Sequence, residues 1–303
     1  MCLLLGCSQD LSPVDIEHDL IYDPAARPPQ TRLTLDLYRP RYARVAPQLL
    51  VFIHGGGWFE GSKSNCPGLQ VALEGYALAC VNYRLSDEAL FPAQLTDLKL
   101  AIRWLRAEAE TYGYEAAKIG VFGHSAGGHL STLLGTTSND DSVFEPTELA
   151  EYSSAVQAVG SWSGVTDLTQ FSPAFTETPS QAVKKKYREK PWFTLTWSVY
   201  KVLGGPPAER RGLADLANPL SYLDADDPPV FVAHDPSDRV VPVKQSDLLV
   251  KALWQYGIPV VYVRDYAQGH SVYDPVDSRR FNKVLLRRTL EFFAQHLESP
   301  APN

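Results

Sequence analysis

The 303-residue chain contains no unbroken apolar run of 18 residues, so it offers no candidate for a transmembrane helix. Basic excess is missing as well: 28 Lys and Arg stand against 35 Asp and Glu, a net charge of −7. No basic stripe is available for a nucleic-acid backbone, and no nucleic-acid partner is expected. The one dense basic cluster is Lys184-Lys185-Lys186 with Arg188 and Lys190, which reads as a solvated face. Cysteine is scarce. Cys2, Cys7, Cys66 and Cys80 match the spacing of neither a zinc site nor a disulfide framework. Cys80 falls in an apolar run and reads as a small buried hydrophobe. HExxH is missing, and neither a metal nor a cofactor is expected. Repeats and low-complexity tracts are absent too.

What is present is ordinary core material: 45% hydrophobic and 21% charged residues, enough to bury a large interior. The apolar runs are continuous rather than alternating, as expected of strands covered on both faces. They are Gln48–Ile53, Tyr76–Val81, Lys118–Phe122, Ala155–Ser161, Pro229–Ala233 and Val260–Val263. Asp15–Tyr22 and Thr31–Tyr38 read as two further strands, the second alternating Leu33, Leu35 and Leu37 with polar partners. Helical stripes lie between these runs. In Gln94–Ala109 the apolar positions are Leu95, Leu98, Ile102, Leu105 and Ala109, with Pro92 before the stripe and Gly113 after it. Ala126–Leu134, Val243–Tyr256 and Ser278–Leu297 read as helices as well. Strand and helix in alternation predict an α/β fold, a mostly parallel sheet of about eight strands wrapped by helices.

Three parts are expected. Residues 1–20 read as a tether, 21–303 as the folded domain, and 168–212 as a cap-like insertion, rich in proline and in aromatics such as Phe171, Trp192 and Trp197. Met1-Cys2-Leu3-Leu4-Leu5-Gly6-Cys7-Ser8 is similar to the cleavage box of a bacterial lipoprotein signal, with Cys7 as the lipidated residue. Neither a basic n-region nor an apolar stretch of signal length fits before Cys7. A cell-envelope lipoprotein and a cytoplasmic protein both stay open.

Gly123-His124-Ser125-Ala126-Gly127 is a G-x-S-x-G pentapeptide between an expected strand and an expected helix. That is the strand–turn–helix setting of a nucleophile elbow, in which side chains at the glycine positions would clash with the neighbouring strand and helix. Ser125 is the candidate nucleophile. His54-Gly55-Gly56-Gly57-Trp58 follows another strand, and its run of glycines lets backbone N–H groups approach a ligand. The amides of Gly56, Gly57 and Ala126 are candidate oxyanion donors, each worth roughly 3–4 kcal/mol to a tetrahedral intermediate. A phosphate loop would need G-x-x-x-x-G-K-[ST], which is missing.

A serine hydroxyl needs a base, most often histidine. His18 and His296 lie near the chain ends, His54 and His124 belong to the two motifs, His129 falls inside a helix, and His234 ends a strand. His270, in Ala267-Gln268-Gly269-His270-Ser271, follows the last strand and precedes the last long helix, and is the candidate base. The acid is expected between serine and histidine in sequence, after another strand. Asp238, before Arg239-Val240-Val241-Pro242, is the first choice, Asp235 the second and Asp167 the third.

Taken together, HGGGW at 54–58, VNYRL at 81–85, FPAQLTDLKLAIRWLR at 91–106, GHSAGGHL at 123–130 and DRVVP at 238–242 resemble one family. This is the α/β-hydrolase esterases related to hormone-sensitive lipase, and within it the bacterial feruloyl-esterase-like (BD-FAE) carboxylesterase group. The resemblance runs over roughly residues 30–297 and is weakest across 171–199. It implies Ser125, Asp238 and His270 as triad, with Gly56, Gly57 and Ala126 as oxyanion donors. It also implies a small-molecule ester as substrate, hydrolysed through an acyl-serine. Where the family often has glycine after the histidine that ends the acid-loop strand, this chain has Asp235. Kynurenine formamidases share much of the pattern but commonly carry an aromatic residue where this chain has Gly57. Arylformamidase, serine peptidase and a non-catalytic binding protein are the alternatives.

Overall fold

The computed structural model describes residues 12–23, 33–138, 144–171, 191–264 and 268–297, with the side chains of 191–194 left aside. Eight strands form one sheet: β1 (Val14–Ile21), β2 (Thr34–Pro40), β3 (Gln48–Ile53), β4 (Ala77–Val81), β5 (Glu115–His124), β6 (Ala158–Trp162), β7 (Val230–Ala233) and β8 (Val260–Val263). Their spatial order is β1-β2-β4-β3-β5-β6-β7-β8. The first two pairings, β1 with β2 and β2 with β4, are antiparallel, and all others are parallel. All eight expected strands are present, with ends shifted by a few residues. β1 begins at Val14, inside the stretch read as a tether.

In β3, Leu49, Val51 and Ile53 enter one core cluster while Leu50 and Phe52 enter the other. That is why the strand reads as continuously apolar: both of its faces are covered. On one face lie α2 (Ala93–Ala107), α4 (Ala126–Thr136) and α7 (Lys244–Tyr256). On the other, α1 (Gly68–Leu73) and α8 (Lys283–Leu297) cover the aromatic group Phe52, Phe122, Trp162 and Phe293. Neighbouring rings of this group stand 5.1–6.1 Å apart, in tilted or edge-on contact. Burying each such side chain contributes roughly 1.5–3 kcal/mol.

Four elements depart from the sequence reading. The helix expected at Gln94–Ala109 ends at Ala107 and is followed by a single turn, α3 (Ala109–Tyr112), closed by Gly113 at φ 69°. The final helix starts at Lys283 instead of Ser278, because the Asn282 side chain accepts from the amides of Val284 and Leu285 and caps it there. In the stretch read as a cap-like insertion, Pro191–Leu203 is helix α5, and Arg211–Leu216, which runs past the end of that stretch, is helix α6. Pro191 is the first residue of α5, a position where its fixed φ and missing N–H carry no penalty. Finally, Cys66 and Cys80 form a disulfide with Cα atoms 6.1 Å apart. Cys80 is buried as expected, but it is bonded. The pairing follows from the loop after β3 folding back over β4, which no spacing rule encodes. Residues 172–190, including the Lys184–Lys186 run, and Cys2 and Cys7 lie outside the described residues.

Candidate active site

β4 runs on one side of β3 and β5 on the other, so the chain reverses direction across the sheet at β3. In open α/β sheets, ligands sit outside the carboxyl ends of strands at such a switch point. The register puts Ile53 level with Gly123, His124 level with Trp162, and Trp162 level with Ala233. The segments that leave these strands, 54–58, 125 onward and 234–242, therefore emerge side by side at one edge.

Ser125 stands between β5 and α4 with φ 57° and ψ −118°, a backbone conformation rare for a side-chain-bearing residue. Its amide is held by the carbonyl of Trp162 at 2.8 Å. The flanking glycines are obligatory on steric grounds. A Cβ on Gly123 would sit 2.5 Å from the Gly127 backbone, and one on Gly127 would sit 2.1 Å from the Ile53 carbonyl oxygen.

His270 Nε2 lies 3.0 Å from Ser125 Oγ, and His270 Nδ1 lies 2.6 Å from Asp238 Oδ2. The Asp238 side chain is fully buried; its Oδ1 accepts from the amides of Val240 (2.8 Å) and Val241 (2.9 Å). His234 Nε2 lies 3.3 Å from the same Oδ2 and 2.9 Å from the Val241 carbonyl, while His234 Nδ1 is 2.7 Å from Ser246 Oγ. Burial pushes the Asp238 pKa up, but the hydrogen bonds from His234 and His270 and the His270 charge outweigh it and hold the carboxyl well below the usual range. A charged carboxylate on Nδ1 fixes the imidazole with its proton there, leaving Nε2 free to accept from Ser125.

Asp235 does not meet the His270 ring. It accepts from the amide and hydroxyl of Ser237, both at 2.7 Å, and from the amide of Gln268. Asp167 caps the turn Leu168–Gln170 by accepting from the Thr169 amide.

In the 54–58 loop, Gly56 and Gly57 have φ of 108° and 57°. Among the described residues their amides donate to no backbone carbonyl, and Ala126 is the first residue of α4, where the amide has no helical partner. Gly57 has no room for a side chain: a Cβ would meet Ser198 Oγ of α5 at 2.3 Å. Trp58 is fully buried, and its indole N–H donates to His129 Nδ1 at 3.3 Å. His129 Nε2 in turn donates to the Ala217 carbonyl at 2.7 Å. Burial pushes the His129 pKa down to about 4, so it stays neutral and in that tautomer at neutral pH. His54 stacks on Tyr83, with ring centroids 4.4 Å apart. Beside the loop lies a cleft of about 380 Å³ lined by Gly55, Gly56, Glu60, His124, Val272 and Tyr273 among others.

The structure thus brings together Ser125, His270 and Asp238, and leaves the amides of Gly56, Gly57 and Ala126 without backbone partners among the described residues. The sequence reading missed His234 as a partner of Asp238 and His129 as a partner of Trp58. His234 directly follows the buried strand β7, four residues before Asp238, which is the one local signal available; His129 had none, since Trp58 and Ala217 are both remote in sequence. Among the described residues no group of His, Cys, Asp and Glu could hold a metal, and no helix is long and apolar enough to cross a membrane.

Sheet order, elbow and side-chain geometry define an α/β-hydrolase fold. The chain belongs to the BD-FAE family, whose model matches residues 35–253. Among curated proteins it is 30% identical over 262 residues to a Mycobacterium tuberculosis protein named esterase LipQ, covering 84% of this chain and 57% of that one. Overall, the chain spans about half the length of the curated relatives it matches. Among solved structures, a bifunctional GH43-CE protein of Bacteroides eggerthii is 28% identical with a TM-score of 0.77, covering 93% of this chain and 38% of that one. A truncated carbohydrate esterase from gut microbiota is 24% identical with a TM-score of 0.74, covering 93% and 95%; that likeness bears on the fold.

Proposed function

We propose that the protein is a serine carboxylic-ester hydrolase acting through an acyl-serine. The observation that carries the reading is the hydrogen-bonded line from Ser125 Oγ through the His270 imidazole to the buried Asp238 carboxylate, beside amides without backbone partners. His270 Nε2 takes the Ser125 proton as Oγ attacks the ester carbonyl. The carbonyl oxygen becomes an oxyanion held by the amides of Gly56, Gly57 and Ala126. His270 then passes its proton to the leaving alcohol, the C–O bond breaks, and the acyl group stays on Ser125. Water, deprotonated by His270, attacks the acyl-serine; the carboxylic acid leaves and Ser125 regains its proton. Asp238 stabilises the imidazolium in both halves without taking its proton. The esterase names of the relatives support the same chemistry. No cofactor enters these steps.

The expected substrate is a small or aromatic ester. The absence of space at Gly57 favours an ester over the formamide reading, which goes with an aromatic side chain at that position. Purified protein assayed on p-nitrophenyl acetate, methyl ferulate, N-formylkynurenine and a prolyl peptide tests this. The first two should turn over at least tenfold faster than the others; a preference for formylkynurenine or the peptide would displace the ester reading.

A further inference from the structure

Asp235 and His124 both bond to the backbone of the tripeptide Gln268-Gly269-His270, and neither has a part in the proton transfers above. Asp235, 2% exposed, spends one oxygen on Ser237 and the other on the Gln268 amide. His124 Nε2 donates to the carbonyl of His270 at 2.9 Å, and the two rings lie 4.7 Å apart. Gly269 between these contacts has φ 60°, which turns the chain sharply just before the imidazole. Resting on the serine-hydrolase reading, we propose that Asp235 is a positioning residue: together with His124 it clamps the 268–270 backbone from both ends and so sets the distance from His270 Nε2 to Ser125 Oγ.

The second carboxylate in this loop therefore has a task distinct from that of Asp238. Asp238 orients the ring through Nδ1, while Asp235 orients the peptide that carries the ring. The two are connected, since the Asp238 amide donates to the Asp235 carbonyl at 3.0 Å. Burial pushes the Asp235 pKa up, yet hydrogen bonds from Ser237, Gly269 and Gln268 hold it below the usual carboxylate range. The residue is therefore a charged acceptor, suited to backbone amides. The His124 pKa is pushed down to about 3 by burial and by the neighbouring His270 charge, so it donates as a neutral imidazole.

Asp235→Asn tests the clamp. One carboxylate oxygen faces the Ser237 amide and the other faces the Gln268 amide, so either orientation of the asparagine sets its NH₂ against a backbone N–H. The imidazole should shift by a fraction of an ångström to about one ångström, lowering kcat on p-nitrophenyl acetate by about tenfold to a hundredfold. KM should stay within twofold. Because the residue acts through His270, the loss should shrink below twofold in a His270→Ala background. A kcat within twofold of wild type, or the same fold loss in both backgrounds, overturns the clamp. If the variant fails to fold, amide exchange in the wild type decides. Slow exchange at Gln268, about a hundredfold below a free amide, upholds the bond, and exchange at the free rate overturns it. Ser125→Ala in the same assay separates the two claims. If it is inactive while Asp235→Asn is normal, only the clamp falls; if it is fully active, the hydrolase reading falls and the clamp with it.

Discussion

Asp238→Asn is expected to cost far more than its single-atom change suggests, and the size of the loss follows from the hydrogen bonds around the carboxylate. Both backbone amides that reach Asp238, those of Val240 and Val241, point at Oδ1. The asparagine oxygen must stay there, since its NH₂ would face two donors. The NH₂ therefore takes the place of Oδ2, 2.6 Å from His270 Nδ1 and 3.3 Å from His234 Nε2. It donates to Nδ1, which drives the imidazole proton onto Nε2, opposite the Ser125 hydroxyl. The base then presents a proton where it needs a lone pair. A wrong tautomer of this kind lowers kcat by about 10⁴-fold, or about 5.5 kcal/mol of transition-state stabilisation. Steady-state turnover of p-nitrophenyl acetate by wild type and variant, at equal folded fraction, measures it. KM should change little, because the carboxylate touches no substrate. A variant within tenfold of wild type would refute the reasoning and return the acid role to another residue.

Two further outcomes concern Gly57 and Asp227. Gly57→Ala should reduce kcat by about 10²- to 10³-fold, the cost of one oxyanion donor, because the new Cβ would displace Ser198 or the loop itself; steady-state kinetics that stay within fivefold of wild type would contradict it. Asp227→Asn should stabilise the protein at pH 8. Burial raises the Asp227 carboxyl from 3.8 to about 7, and its Oδ1 has no hydrogen-bond partner. The folded pKa lies above the unfolded one, so the penalty is absent below pH ~4, grows as pH rises to ~7, and is constant above, with a ceiling of about 4 kcal/mol. Urea denaturation should show a gain of about 1–3 kcal/mol at pH 8 that vanishes towards pH 4; no gain at pH 8 would contradict the burial argument.

The strands were legible in the sequence because both faces of the sheet are covered, so β3 to β7 are apolar at every position that matters. Ser125 was legible because crowding at Gly123 and Gly127 forces a local sequence signature. Asp238 and His270 were legible by chain order and resemblance, but the choice between Asp235 and Asp238 was not. It depends on which carboxylate faces an imidazole 32 residues away, a matter of loop geometry with no periodicity. The short helix α1 has only six residues, too few to establish a helical stripe, and lies between Pro67 and Gly75. The helix α5 was hidden by its own Pro191, which reads as a breaker in a proline-rich segment but serves as a first helical residue. The Cys66–Cys80 bond and the His129–Trp58 contact join segments that only the fold brings together.

Active-site labelling with a fluorophosphonate, followed by peptide mapping, tests the covalent chemistry most directly. One adduct, located on the hydroxyl of residue 125 and lost in Ser125→Ala, is the expected result. Folded wild-type protein that takes up no label, or carries it on another residue, would contradict the account.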